Sequence, residues 1–470
     1  MTIEIVPTLS CPVGCVYCYW EPTWAENPAL RKVSYDIDKM VEGWEKVVKI
    51  RGHKEAVFHG GEPLLMTVED MDKLCAKLKE KGCTNFGIQT STYGMTDEHI
   101  ALFKKYNFSI GISFDGGWYN GCPNCFVSLE PAKAGENVIC PNCKKEVVVY
   151  EFDLNRGRGW FANPAKQKEF ANKTIYWIEK LHANGLTPGT ITVLNKFNAE
   201  NDIKLGALAK FYIDRPWLSS RFNPVHEELP ALKFLELPEE RMAEVYKKLA
   251  DYCFTYGLNW YPMRSMQNAL LGLSINDCWF GTDCDATNTL ASTFVTDKGE
   301  TNVCPKLSTV FETALQISDT HTPIAWRQKI LEQTPFEKGG CKGCKYWNLC
   351  RGGCESDGID GDIRNRTRFC QHIYSLYEHI EKRMKGMLPA LISFAELPIE
   401  EQNKRLRKVR GWANTNINQF TGLIRQTEKA QDLSVARPAK IITDITWEYV
   451  PEEERWAKHE NKEKEKGIFE

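Results

Sequence analysis

The sequence predicts an α/β protein: a partial, open (β/α)6 TIM-like barrel, a small zinc-ribbon-like insertion, and a C-terminal domain held together by metal. Three observations carry this expectation. Short apolar runs alternate with helical patterns over roughly the first 230 residues, as parallel β/α units do. Cysteines gather in groups at metal-ligand spacings. After a bridging helix expected over 237–254, the chain turns to short segments rich in Cys, Gly, Asp and Asn up to Cys370, with too little apolar mass to fold without metal.

Six strands are expected, at residues 3–8, 55–59, 85–89, 109–114, 190–194 and 219–223. Helices lie between them. Val33, Ile37, Val41, Trp44 and Val48 form one apolar stripe, and Thr67 with Asp70 reads as the capped start of the next helix. Residues 171–184 and 202–212 supply later ones. Cys75 shares an apolar face with Met71, Leu74 and Leu78, which places it in the core; Cys83 and Cys253 are read the same way. In a parallel barrel, reactive groups gather at the C-terminal ends of the strands. The organisation expected is a barrel over 1–235, an insertion over 118–150, a bridging segment over 236–277, the metal-held domain over 278–375, and a charged helical extension over 376–470. The last residues, HENKEKEKGIFE, read as a solvated tail.

At 470 residues the chain is long enough for two or three domains. A net charge of -2 and a pI near 6.5 argue against a general surface for nucleic acid or anionic membrane. No apolar run reaches the length of a membrane span. The opening MTIEIVPTLSCP lacks the basic start and apolar stretch of a secretion signal, so a cytoplasmic location is expected. Eighteen cysteines in a reducing compartment point to metal sites rather than disulfides.

Cys11, Cys15 and Cys18 in CPVGCVYC can hold three irons of a 4Fe-4S cluster and leave the fourth open to chelate a small molecule. Alone, the triplet would also suit a zinc site or unrelated thiols in a loop. Cys122-x2-Cys125-x14-Cys140-x2-Cys143 has the form of two knuckles around a tetrahedral ion. Zinc is the first choice; a rubredoxin-like iron or a further iron-sulfur cluster also suits four thiolates. The metal either folds the insertion or helps it grip a substrate or partner, since Lys144, Lys145, Arg156 and Arg158 come after it in the chain.

With Tyr17 before its third cysteine, the opening loop resembles the cluster loop of radical S-adenosylmethionine enzymes. The resemblance implies that the cofactor's methionine amino and carboxylate groups bind the open iron, and that an electron entering the sulfonium releases a 5'-deoxyadenosyl radical. His59-Gly60-Gly61-Glu62-Pro63 resembles the family's GGEP motif, which implies that Gly60, Gly61 and Glu62 bind the methionine amino group. Glycines there let a backbone approach a ligand closely. The polar end of the third strand, Gln89 to Thr92 with Ser91 in it, stands where the family often has an Asn-bearing cluster. Ser113-Phe114-Asp115-Gly116 resembles the S-x-D-G segment of sulfatase-maturase-like members, implying that Ser113 contacts the adenosyl part. Asp153-Leu154-Asn155-Arg156 matches their D-x-x-R element, with Arg156 near the cofactor carboxylate and Arg158 as its rival. Asn195 and Phe222 fit positions that flank the adenine, or simply end their strands.

Cys278-x5-Cys284, Gly299-x4-Cys304, Cys341-x2-Cys344-x5-Cys350-x3-Cys354 and Cys370 together resemble the SPASM domain of peptide-modifying members. That pattern implies one auxiliary 4Fe-4S cluster on Cys278, Cys284, Cys304 and Cys354, and a second on Cys341, Cys344, Cys350 and Cys370. Full thiolate ligation suits electron relay and scaffolding. The implied reaction is hydrogen abstraction from a peptide or protein side chain, ending in oxidation or a thioether or carbon-carbon link, with flavodoxin or ferredoxin as electron donor. Sulfatase maturases carry an Asp directly after the third cysteine of the first auxiliary cluster. Here Pro305 stands there, so formylglycine formation is in doubt and Asp283 or Asp285 would be weak substitutes as catalytic base. RNA or a small molecule, gripped by the insertion, is the alternative substrate. A non-catalytic electron carrier would not explain why the first loop lacks a fourth cysteine.

Overall fold

The structure, a computed structural model, describes residues 2–18, 20, 32–154, 164–225, 234–270, 292–304, 326–395, 398, 400 and 401. All six expected strands form: β1 (Ile3–Val6), β2 (Glu55–Phe58), β3 (Asn85–Thr90) and β4 (Ser109–Ser113) come before the insertion, β9 (Gly189–Leu194) and β10 (Ser219–Pro224) after it. Along β2, β4, β9 and β10, buried side chains alternate with more exposed ones, as a strand's period of two requires. The buried set includes Ile3, Ile5, Ala56, Phe58, Ile88, Ile112, Thr192 and Phe222. These face the helices. The other face carries Glu4, Val57, Gln89, Ser113, Ile191, Arg221 and Asn223, none of them fully buried. A parallel sheet that covers only one face with helices leaves the other as the wall of an open cavity.

The first helices show why the local sequence folds this way. In α1 (Ile37–Arg51) the Asp36 side chain accepts from Lys39 N at 3.1 Å, and Met40, Val41, Trp44 and Val47 are buried. The indole of Trp44 donates to Glu55 O at 2.9 Å, fastening the helix to β2. Val33, expected in this stripe, lies before the cap and is 45% exposed. The cap at Asp36 starts the helix too late to include it. In α2 (Val68–Glu80) Thr67 Oγ1 accepts from Asp70 N at 3.1 Å, and Cys75 is buried beside Met71, Leu74 and Leu78 as expected. Then come α3 (Asp97–Tyr106), α4 (Pro164–Ala183), the short α5 (Lys196–Ala199), α6 (Asp202–Ile213) and α7 (Glu239–Tyr256). Cys83 and Cys253 are also buried.

The sheet is larger than six strands. β11 (Trp260–Tyr261) joins β10 at one edge, and α8 (Met263–Leu270) comes next in the chain. At the other edge β12 (Thr293–Thr296) pairs in parallel with β1, from Ile3 opposite Thr293 to Val6 opposite Thr296, and β13 (Thr301–Val303) turns back beside it. The full order is β11-β10-β9-β4-β3-β2-β1-β12-β13. Residues 293–303, expected in the separate metal-held domain, therefore belong to the main sheet. The strand was hidden because its apolar centre, Phe294-Val295, is short and set in polar, cysteine-rich sequence.

The insertion is built from β5 (Trp118–Gly121) paired with β8 (Tyr150–Asp153) and β6 (Asn137–Ile139) paired with β7 (Glu146–Val148), both antiparallel. It is seated on the barrel: a Cβ added to Gly206 of α6 would lie 2.3 Å from Phe126 Cζ, so only glycine admits that ring. Phe152, whose ring centre lies 5.0 Å from that of Tyr119, meets Phe126 edge-on at 6.2 Å.

In the C-terminal part, α9 (Trp326–Gln333), α10 (Trp347–Cys350) and α11 (Cys370–Ala395) complete the described helices. Hydrogen bonds and apolar packing hold this segment, which was expected to depend on metal. The buried Arg327 guanidinium donates to the backbone carbonyls of Ile363 (2.6 Å), Asn365 (2.9 Å) and Gly353 (3.3 Å), while Leu331, Tyr346, Phe369, Ile373 and Tyr377 are buried. Among the described residues, no helix is long and apolar enough to cross a membrane.

Candidate active site

The three-cysteine loop leaves the C-terminal end of β1, and the turn after β2 is stitched to it. Gly61 N donates to Thr8 O at 2.9 Å and Glu62 N to Ser10 O at 2.8 Å. Cβ atoms on Gly60 and Gly61 would lie 2.5 Å from Val6 Cγ1 and 2.2 Å from Ser10 O. The close approach that these glycines permit is therefore to the cysteine loop's own backbone, where the sequence pattern suggests a ligand.

Glu62 is buried, and four donors surround its carboxylate. Oε1 accepts from Thr90 Oγ1 (2.6 Å) and Leu64 N (3.2 Å); Oε2 accepts from Ser91 N (2.9 Å) and from the Ser91 hydroxyl. Burial raises its pKa while these bonds oppose the rise. The polar end of β3 thus fixes the acid of the GGE turn. Gln89 Nε2 in turn donates to Ser113 Oγ at 2.8 Å on the half-open face.

Burial, with the charges of Cys15 and Glu62 adding to it, pushes the Cys11 thiol up to about 12. Thiolates there need a cation beside them, which suits three metal-ligating cysteines. Tyr17 donates its hydroxyl to Asp115 Oδ2, and its ring packs with Val16, Val193 and Phe197 against Val225 and Leu235. Asp115 stands in the S-x-D-G segment, where the sequence alone gives it no role. Its signal is a carboxylate placed directly after a strand, beside a glycine.

Two expected residues sit differently. The Asn195 amide is engaged locally, accepting from Phe197 N at 2.8 Å and donating to Val193 O at 2.9 Å, so it caps α5. Phe222 points to the helix side, where its ring meets Trp260 (5.3 Å) and Tyr212 (5.5 Å). Strand alternation puts Arg221 and Asn223, rather than Phe222, on the half-open face. Arg156, Arg158, Cys278, Asp283, Cys284, Asp285 and Pro305 lie outside the described residues.

Cys341, Cys344, Cys350 and Cys370 act on one another electrostatically: burial, then Cys370 and Cys344, push Cys341 up to about 12, and Cys350 rises with Cys370, Cys341 and Cys344 as neighbours. Thiols raised in this way need a cation beside them to ionise together, which suits a metal site. Cys304 comes directly after β13, and Cys354 is buried. In the insertion, the ligand atoms of Cys122, Cys125, Cys140 and Cys143 lie within 4.8 Å of one another. The Cys122–Cys143 and Cys125–Cys140 sulfur separations are 3.7 and 3.5 Å. A tetrahedron with zinc-sulfur bonds of about 2.3 Å has edges of about 3.8 Å. Backbone N–H groups of Cys143 and Asn142 hold the Cys140 thiol below its ordinary value, while burial raises Cys122.

Residues 5–122, which contain this loop, the GGE turn and the ends of β3 and β4, match the model of the Radical SAM superfamily. They form a radical SAM domain. The domain marks the chain as an enzyme and implies S-adenosylmethionine and a 4Fe-4S cluster. An uncharacterized protein of Methanothermobacter thermautotrophicus is 33% identical over 118 residues, 24% of this chain and 42% of that protein's length. A cysteine-type anaerobic sulfatase-maturating enzyme of Clostridium perfringens is 23% identical over 416 residues, 82% of this chain and 97% of its own. A solved structure of native anSMEcpe with bound AdoMet and Cp18Cys peptide superposes with a TM-score of 0.57 at 18% identity, covering 82% of this chain and 98% of that one. The radical SAM fold thus extends well past the matched domain.

Proposed function

We propose that this radical SAM enzyme abstracts hydrogen from a peptide or protein side chain, as a maturase that oxidises or crosslinks its target. The observation that carries the reading is the three-thiol loop locked to the GGE turn at the rim of a half-open face bearing Gln89, Ser113, Arg221 and Asn223. The likeness to a sulfatase-maturating enzyme over 82% of the chain supports a peptide substrate. When bound, the cluster and S-adenosylmethionine supply a 5'-deoxyadenosyl radical. The chain's own residues do the rest: Cys11, Cys15 and Cys18 ligate, the Glu62 turn holds the loop and faces the methionine amino group, and Ser113 meets the adenosyl part. Cys341, Cys344, Cys350 and Cys370 would hold one auxiliary cluster and Cys278, Cys284, Cys304 and Cys354 a second, which would serve to accept the surplus electron, with a cytoplasmic flavodoxin or ferredoxin as the donor of the first. Zinc in the insertion is supported by the sulfur spacing.

Anaerobic incubation of reconstituted enzyme with candidate peptides, read by mass change and by deuterium transfer into 5'-deoxyadenosine, tests this. Transfer from a labelled peptide side chain is expected. Transfer from none, with label arriving instead from an RNA or small-molecule pool, would favour the second reading, for which the exposed Lys144 and Lys145 of the insertion speak.

A further inference from the structure

We propose that Asp115 is a positioning residue for the three-cysteine loop, acting through the hydroxyl of Tyr17. The proposal rests on the reading of that loop as the radical-cluster site. Asp115 is fully buried just past β4. Its Oδ1 accepts from Val193 N at 2.8 Å, its Oδ2 from the Tyr17 hydroxyl, and its backbone carbonyl from Asn198 Nδ2 at 3.1 Å. Asn198, equally buried, also donates to Val193 O at 2.9 Å and accepts from Asn195 N at 2.9 Å. One carboxyl therefore ties the end of β4, the end of β9 and the segment between Cys15 and Cys18.

The geometry separates two tasks. Apolar contacts with Val16, Val193, Phe197, Val225 and Leu235 gather the Tyr17 ring at the site, but such contacts are non-directional and let a ring slide. The bond to Asp115 is directional and fixes how far the ring reaches toward β4. Cys18 is the next residue, one rigid peptide unit away, so a shift of Tyr17 passes to a ligand thiol. Packed strand ends on one side and a ligand on the other make Asp115 the joint between scaffold and loop.

Tyr17→Phe, Asp115→Ala, Asp115→Asn and the Tyr17→Phe/Asp115→Ala pair test this in anaerobically reconstituted full-length enzyme. The readouts are iron content, melting temperature, the Kd of S-adenosylmethionine, and the change it causes in the electron paramagnetic resonance spectrum of the reduced cluster. Tyr17→Phe and Asp115→Ala should each weaken cofactor binding about tenfold and blunt the spectral change, and the pair should be no worse than either alone. Asp115→Asn still accepts from Val193 N and reaches the Tyr17 oxygen through Nδ2, so it should restore most of both. Additive losses in the pair, or a lower melting temperature in Asp115→Ala with Kd and spectrum unmoved, overturn the proposal. Where Asp115→Ala does not fold, Tyr17→Phe decides: an unchanged Kd and spectrum overturns it. A wild-type cluster indifferent to S-adenosylmethionine refutes the reading of the loop itself, an outcome distinct from normal wild-type behaviour with silent variants.

Discussion

Cys15 lies between Cys11, whose thiol burial pushes up to about 12, and Cys18, whose N–H donates to Cys15 O at 3.1 Å. On the proposed reading of the loop, replacing Cys15 by Ala leaves the cluster two thiols of three. Formation of 5'-deoxyadenosine, measured by chromatography, should fall by more than the about hundredfold that loss of an outer partner costs. Auxiliary iron should remain. The cysteines and the GGE turn were legible because ligand chemistry allows few spacings. Asp115 and Thr90 were not, since their roles arise from atoms 98 and 28 residues away in sequence, at Tyr17 and Glu62. Phe222 misled for a related reason: an aromatic at a strand end reads alike on either face until the register is known.

Elements were legible where a cap or a period marked them, and α3 shows what a cap can add. His99 accepts from Thr96 N through Nδ1 at 3.2 Å, and burial lowers its pKa below the ordinary value. The native state thus holds the neutral ring while the unfolded chain takes up a proton below about pH 6.5. Stability should be full above that pH and fall as pH drops through it toward the lowered native value. Denaturant midpoints between pH 7.5 and 5 check this (about 6.5 being the free-histidine value), and His99→Gln, which keeps an acceptor for the cap, should flatten the dependence. The insertion's mode of docking was not legible at all: nothing in the sequence pairs Phe126 with Gly206 across two separate elements. Phe126→Ala should cost up to about 3 kcal/mol of docking, the low end for Phe→Ala because the ring is only partly buried, and raise protease cleavage within 118–154, while metal bound at the four insertion cysteines is retained, as metal analysis of the variant would show.

For the whole molecule, the pairing of β12 with β1 means that the barrel cannot be cut away cleanly from the C-terminal part of the chain. A chain ending at residue 277 would keep every expected barrel strand yet expose β1 as an unpaired parallel edge, so it should aggregate more than the full chain does. Gel filtration of the two decides; a monomeric, folded truncation would contradict this account of the sheet. The sequence alone determined the β/α alternation, the cysteine groups at ligand spacings, and the loop that the superfamily model covers. Each depends on local periodicity or on ligand spacing, and both are written in consecutive residues. Tertiary structure alone decided that a short polar-flanked strand closes the sheet edge, that Arg221 and Asn223 rather than Phe222 face the open side, and that Asp115 meets Tyr17. Those facts depend on strand register and on contacts between segments far apart in the chain, and no local pattern encodes which distant partner wins.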